Sequence, residues 1–125
     1  MLKHQNFKKA LVIDDNKINT LLIEGMLQPF DLEIFTAHDG TGALDLLTEN
    51  QSIDIIYLDL YLPDKDGFEV ITHIRNLEAY QKTPIIAISG RVEEDIRERC
   101  LQASFNEYLP KPIDYGLFTK VFQSL

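Results

Sequence analysis

The stretch "DIIYLDLYLPDKDGFE", residues 54–69, decides how the chain folds. Ile55, Ile56, Tyr57 and Leu58 form an apolar run that ends on a carboxylate, Asp59, with Pro63 and Gly67 close behind. A strand with one wet face alternates polar and apolar residues, whereas a strand covered on both faces reads as a continuous apolar run. The run before Asp59 is of the second kind. Its strand is expected inside a parallel sheet, with the acid at the strand's carboxyl end.

Working outward, four more short, apolar strand-like runs appear: Ala10 to Ile13, Glu33 to Ala37, Ile85 to Ile88 and Glu107 to Leu109. Helical patterns separate them. Ile18, Leu21, Leu22, Gly25 and Met26 fall at i, i+3, i+4, i+7 and i+8, which predicts one buried helical face. Ala43, Leu44 and Leu47 repeat that spacing, as do Val70, Ile71 and Ile74. A more polar helix is predicted from Val92 to Leu101, with Ile96 and Cys100 inward. Asn16 and Asp114 are placed to cap the helices that follow them, and the last helix is expected to bury Phe118, Val121, Phe122 and Leu125. Strict strand–helix alternation predicts an α/β fold, a parallel sheet with helices on both faces.

Bulk properties narrow the function. The chain has 125 residues, 45% of them apolar, which suits one domain with a packed core. Its formal net charge of -8 argues against a nucleic-acid binder, which needs a basic footprint. No apolar run approaches the ~20 residues of a membrane span. The N-terminal run breaks on two acids too early for a signal peptide, so a cytoplasmic protein is expected. Residues 1–8 read as a lead-in, and the final helix leaves no room for an output domain. Cys100 is alone, which excludes an internal disulfide; it reads as a small core residue.

In parallel sheets of this kind ligands sit beyond the carboxyl ends of the strands. The first run ends on Asp14 and Asp15, the third on Asp59, the fourth on Ser89 and Gly90, and the fifth on Lys111 and Pro112. Three carboxylates, a hydroxyl and an ammonium are therefore expected along one edge. Two like charges 4 Å apart repel by about 4 kcal/mol at an effective dielectric near 20. Protons or a cation must relieve this, and an all-oxygen site without His or Cys suits a hard divalent ion, Mg2+ above all. Fixed positive charge beside a nucleophilic carboxylate suits phosphoryl transfer, with an Asp able to carry the phosphoryl group as an acyl phosphate.

At these residues the sequence resembles the receiver domains of two-component response regulators. The resemblance rests on "LVIDDN" at 11–16, "DGTGAL" at 39–44, "LDLYLPDKDGFE" at 58–69, "PIIAISG" at 84–90 and "YLPKPID" at 108–114, in that order. It implies a flavodoxin-like (βα)5 doubly wound sheet with strand order 2-1-3-4-5. It also implies that Asp59 is the phosphoacceptor, taking phosphate from a sensor histidine kinase or a histidine phosphotransfer protein. Asp15 and Asp59 would ligate Mg2+ directly, Asp14 mainly through water, and Tyr61 through its backbone carbonyl. Lys111 would pair with Asp59 and then with the phosphoryl group. Ser89 would hydrogen-bond that group, the N–H of Gly90 adding a donor, and Tyr108 would follow Ser89 as a switch. The Lys111–Pro112 bond is usually cis in this family. "VIDDNKIN" and "YLPKPID" are most similar to receivers of hybrid kinases and their stand-alone relatives. The implied output is a changed face on the fourth helix, fifth strand and fifth helix, where a homodimer can form. The implied protein is a switch rather than a turnover enzyme. Tyr61 and Arg91, which follow Asp59 and Ser89 by two residues, offer no water-orienting group, so a slowly decaying acyl phosphate is expected.

Plainer readings exist for single residues. Gly67 is expected to serve a turn, with Pro63 and Asp64 shaping the same loop. His4, His38 and His73 read as surface residues, and the charged run at 92–99 as a solvated helix face. An aspartyl-phosphate hydrolase would need an acid where Tyr61 stands. A nucleotide- or flavin-binding module would need a Gly- or hydroxyl-rich loop where "DDNKIN" stands. A receiver that works without phosphate would not need the full set of acids, Ser89 and Lys111.

Overall fold

Every residue of the strand Ile55–Asp59 is buried, and its two neighbours in the sheet show why. A computed structural model describes residues 6–49, 52–91 and 93–125; His4, Val92 and most of the expected lead-in lie outside them. Among the described residues, strands Lys9–Ile13 (β1), Glu33–Ala37 (β2), Ile55–Asp59 (β3), Ile85–Ser89 (β4) and Glu107–Pro110 (β5) form one parallel sheet in the order β2-β1-β3-β4-β5. Helices Lys17–Leu27 (α1), Gly40–Thr48 (α2), Gly67–Asn76 (α3), Ile96–Gln102 (α4) and Tyr115–Ser124 (α5) connect or follow the strands. The architecture and strand order are those implied above.

The sheet separates two cores. Leu11, Ile13, Ile56, Leu58, Ile85 and Ala87 face Ala43, Leu47, Val70, Ile71, Ile74, Ile96 and Cys100 of α2, α3 and α4. The alternate residues, Ala10, Val12, Ile55, Tyr57, Ile86, Ile88 and Leu109, face Ile23, Met26, Leu27, Phe118, Val121 and Phe122 of α1 and α5. Side chains alternate faces along a strand; both faces of β3 and β4 are covered, so their runs stay apolar up to Asp59 and Ser89, whereas the edge strand β2 exposes Glu33 and Thr36. Each fully buried aliphatic or aromatic side chain contributes about 1.5–3 kcal/mol. Tyr57 is the exception in chemistry: its ring stacks on Phe118 at 5.2 Å, yet its buried hydroxyl has no hydrogen-bonding partner among the described residues.

The first helix corrects the sequence reading. Its inward residues are Thr20, Ile23, Met26 and Leu27. Ile18, Leu21 and Leu22, expected inside with Gly25, are 75%, 55% and 42% exposed. α1 carries two apolar stripes, and periodicity alone does not say which one meets the sheet. That is decided by the phase at which the chain leaves β1, set by Asn16, whose side chain accepts a hydrogen bond from the N–H of Ile18. A second correction concerns α4, which begins at Ile96, four residues later than expected. Ile96 and Cys100 do face inward.

Candidate functional site at the carboxyl edge of the sheet

The two Asp residues after β1 part at the sheet edge: Asp14 is buried and Asp15 is exposed. The N–H of Asp14 still donates to Ala37 at the end of β2, and its Oδ1 accepts from the N–H of Asn16 at 2.9 Å. Its Oδ2 is buried and accepts no hydrogen bond; it is held by an ion pair to Lys111 Nζ at 3.1 Å.

Asp59 ends β3 with both oxygens engaged. Oδ1 accepts from the N–H of Tyr61 at 2.9 Å and Oδ2 from Lys111 Nζ at 2.9 Å. The loop that follows is drawn tightly back, Gly67 donating its N–H to Leu60 at 2.8 Å. A Cβ on Gly67 would stand 2.6 Å from the Leu60 Cα. The glycine is there for this close approach and not for a turn conformation, since no described glycine has a positive φ. Asp64, in the same loop, accepts from the N–H groups of Gly40 and Thr41 and from the Thr41 hydroxyl, at 2.8, 3.0 and 2.8 Å. These bonds, the Gly40 amide foremost, hold its carboxyl down to a pKa of about 2.

Ser89 ends β4, buried, its Oγ accepting from the N–H of Arg91 at 3.1 Å. It caps no helix. Lys111 follows β5; its N–H donates to Ser89 and its peptide bond to Pro112 is cis, as the resemblance implied. Tyr108 pairs with Ala87 and packs half-buried against the α2–α4 core.

The structure thus brings Asp14, Asp15, Asp59 and Lys111 together, with Ser89 and Tyr61 beside them. One oxygen from each acid lies within 4.8 Å of the others. Burial disfavours the charged form of Asp59 and raises its pKa; Asp14 adds repulsion, while the Tyr61 amide and Lys111 pull the other way. For Lys111, burial would lower the pKa, but its hydrogen bond to Asp59 and its ion pairing with Asp59 and Asp14 outweigh burial and hold it above the usual lysine value. The cluster therefore carries more negative than positive charge in a partly dry cleft. Its donors are all oxygen, and the buried Asp14 Oδ2 lacks a hydrogen bond, so the residues present fit a hard divalent cation.

His38 and His73 are exposed. Sequence reasoning missed Asp64 as an anchor, and it read Glu93 as part of a solvated helix face, whereas Glu93 lies ahead of α4. Glu93 Oε1 accepts from the Tyr61 hydroxyl at 2.6 Å and its Oε2 from Arg99 at 2.8 Å. No local pattern signals either contact.

Comparison with known proteins agrees with this geometry. The response regulator receiver domain model matches residues 10–123. The chain is 36% identical over 110 residues to the hybrid signal transduction histidine kinase L of Dictyostelium discoideum, covering 84% of this chain and 6% of that protein. It is 35% identical over 106 residues to the transcriptional regulatory protein CpxR of Escherichia coli, covering 85% of this chain and 44% of that one. The chain thus spans less than half the length of either relative. The receiver domain of the sensor histidine kinase PA1611 of Pseudomonas aeruginosa, solved with magnesium in its active-site cleft, superposes with a TM-score of 0.82 at 33% identity, covering 94% and 96% of the two chains. An edge built from two acids after β1, one after β3 and a lysine after β5, on this sheet order and with this match, places the chain in the response regulator receiver domain family.

Proposed function

We propose that the chain is a phosphorylation-dependent switch of a two-component or phosphorelay system, and that Asp59 accepts a phosphoryl group from a phosphohistidine. The single observation that carries this is Lys111 Nζ bridging Asp59 Oδ2 and Asp14 Oδ2 beside Asp15, a nucleophilic carboxylate with its countercharge already in place. An oxygen of Asp59 attacks phosphorus; the P–N bond breaks and its electron pair stays on the imidazole nitrogen of the donor. Lys111 then turns from the carboxylate to a phosphoryl oxygen. Ser89 leaves the Arg91 amide and donates its hydroxyl to another. Asp14, Asp15 and Asp59, with the Tyr61 carbonyl, would hold Mg2+, which when bound neutralises charge on the phosphoryl oxygens.

The added charge of about -1.5 to -2 at Asp59 biases a two-state equilibrium. Movement of Ser89 opens space on the sheet face that Tyr108 shares, and the readout is the α4–β5–α5 face. There Tyr108, Pro110, Leu117 and Val121 line a groove suited to a partner or to a second copy of the chain. The exposed Ile18, Leu21 and Leu22 lie on the helix that starts just after Asp15. They flank the site and offer apolar docking for the histidine kinase or phosphotransfer partner. The chain catalyses its own phosphorylation and slow hydrolysis without acting as a turnover enzyme. A cytoplasmic location fits such partners, and no described helix is long and apolar enough to cross a membrane.

The test is direct. With Mg2+ and a small acyl phosphate donor, intact mass should show one added phosphoryl group on the wild type and none on Asp59→Ala. Equal phosphate uptake by the two proteins would refute the assignment.

A further inference from the structure

Glu93 stands outside the acidic cluster, yet it grips a residue of the phosphoacceptor loop. Tyr61 is tied to the site at one end, its N–H on Asp59 Oδ1, and to Glu93 at the other, its hydroxyl on Oε1 at 2.6 Å. The Arg91 guanidinium lies over the Tyr61 ring at 4.0 Å, and the Arg91 N–H is bonded to Ser89 Oγ. Both members of this stacked pair are therefore anchored on groups of the site. They line one cleft with Asp15 and Asp66. Glu93 is itself braced: Oε2 pairs with Arg99 of α4, whose guanidinium lies over the Phe68 ring of α3 at 4.9 Å.

We propose that Glu93 is a positioning residue that clamps Tyr61, with Arg91 stacked on it, across the mouth of the phosphoacceptor site and so limits access to Asp59. The proposal rests on the reading of Asp59 as the phosphoacceptor and adds a residue that acts on it through another. Hydrolysis of the acyl phosphate needs a water oxygen to reach phosphorus. The P–O bond to Asp59 then breaks, the carboxylate leaves as the anion, and inorganic phosphate carries the water's protons away. Small phosphodonors approach through the same mouth. A clamp there slows both reactions. It also couples α4 to the loop, because the carboxylate that holds Tyr61 holds Arg99 as well.

The experiment compares wild type, Glu93→Ala, Glu93→Gln, Tyr61→Phe and the Glu93→Ala/Tyr61→Phe double variant. Uptake from a small acyl phosphate in Mg2+ and the decay of the phosphorylated protein are followed by intact mass. Loss of one such hydrogen bond should speed both rates about threefold to tenfold in Glu93→Ala and Tyr61→Phe. The double variant should be no faster than either single, because they break the same bond. Glu93→Gln, which keeps one acceptor oxygen for the two donors Tyr61 and Arg99, should fall between wild type and Glu93→Ala. Rates unchanged in Glu93→Ala, or multiplying in the double variant, would overturn the clamp. Amide exchange at Tyr61 and Arg91, read by NMR without phosphodonor, should accelerate over the same range in Glu93→Ala and less in Glu93→Gln. If the wild type takes up no phosphate, the assignment of Asp59 fails, and amide exchange alone decides on Glu93: faster exchange upholds its grip and unchanged exchange ends it.

Discussion

Replacing Asp59 by Asn should stabilise the metal-free protein while abolishing phosphorylation. The terms can be set out from the geometry. At an effective dielectric near 20, a second carboxylate no farther than 4.8 Å repels Asp59 by about 3.5 kcal/mol. Asp14 exerts this fully because it is buried; Asp15 is exposed and screened. Lys111 at 2.9 Å attracts by about 5.7 kcal/mol on the same scale. Attraction to Lys111 therefore exceeds repulsion by Asp14, and what turns the balance against the charged form is the several kcal/mol of desolvation that a buried ion bears. The neutral amide escapes that cost. It can keep only one of the two acceptor roles, to Tyr61 or to Lys111, which gives back about 1 kcal/mol. A net gain of about 1–2 kcal/mol is expected, read as the free energy of urea unfolding in EDTA at neutral pH. Thermal midpoints should rise by about 3–5 °C for each kcal/mol in a domain of this length.

Two controls separate this cause from an unrelated gain in packing. Asp59 titrates above the ordinary carboxylate value in the folded protein. Stability linked to it is fully present below the unfolded value and is lost as pH rises through the folded one. The advantage of Asn should thus be smallest in mild acid and grow toward neutral pH. Mg2+ should favour the wild type, adding about 1.4 kcal/mol at a tenfold excess over its Kd, and the variant less. An Asn variant no more stable than wild type at neutral pH in EDTA, or an advantage that does not change with pH, would refute the electrostatic account.

Other outcomes follow from single contacts. Gly67→Ala puts a methyl against the Leu60 backbone and should cost about 1–3 kcal/mol by chemical denaturation, with weaker Mg2+ binding as the loop shifts. Tyr57→Phe removes a buried hydroxyl that has no described partner, so it should be neutral or stabilising by about 1 kcal/mol; a loss above that size would reveal a partner for the hydroxyl. The Asp64 carboxyl, held near 2 by its bonds to the start of α2, contributes stability that is present above the ordinary carboxylate value and lost as pH falls toward 2. Asp64→Asn should therefore lower stability at neutral pH and flatten the acid limb of a stability–pH curve, with the two proteins converging toward pH 2. Ile18→Ser with Leu22→Ser should leave unfolding within about 0.5 kcal/mol of wild type, since both residues are exposed. The pair should instead weaken phosphate uptake from a histidine donor while uptake from a small acyl phosphate is kept, and equal loss with both donors would count against docking on α1.

Much of the fold was legible before the structure because the relevant signals are local. Continuous apolar runs marked strands covered on both faces, and helical spacing marked Val70, Ile71 and Ile74 as inward. Asn16 and Asp114 announced helix starts because a cap is made within a few residues, and both accept the expected backbone N–H groups. The acids and the lysine of the site could be named because a parallel sheet presents every strand end to one edge. Where two local readings were equally good, the sequence did not choose: α1 offers two apolar stripes, and of the one predicted to be inside only Met26 is buried while Ile18, Leu21 and Leu22 are exposed.

The chain by itself determined the order of strands and helices, and which residues stand at the strand ends, because both depend on neighbours a few positions away. Tertiary structure decided the rest. Lys111 reaches Asp59 across 52 positions, Tyr61 reaches Glu93 across 32, and Asp64 reaches Gly40 across 24. A contact of that separation exists only after the sheet has set the distance and direction between its ends, so no pattern within either segment can record it. The same holds for Gly67, whose missing side chain has meaning only once Leu60 lies against it.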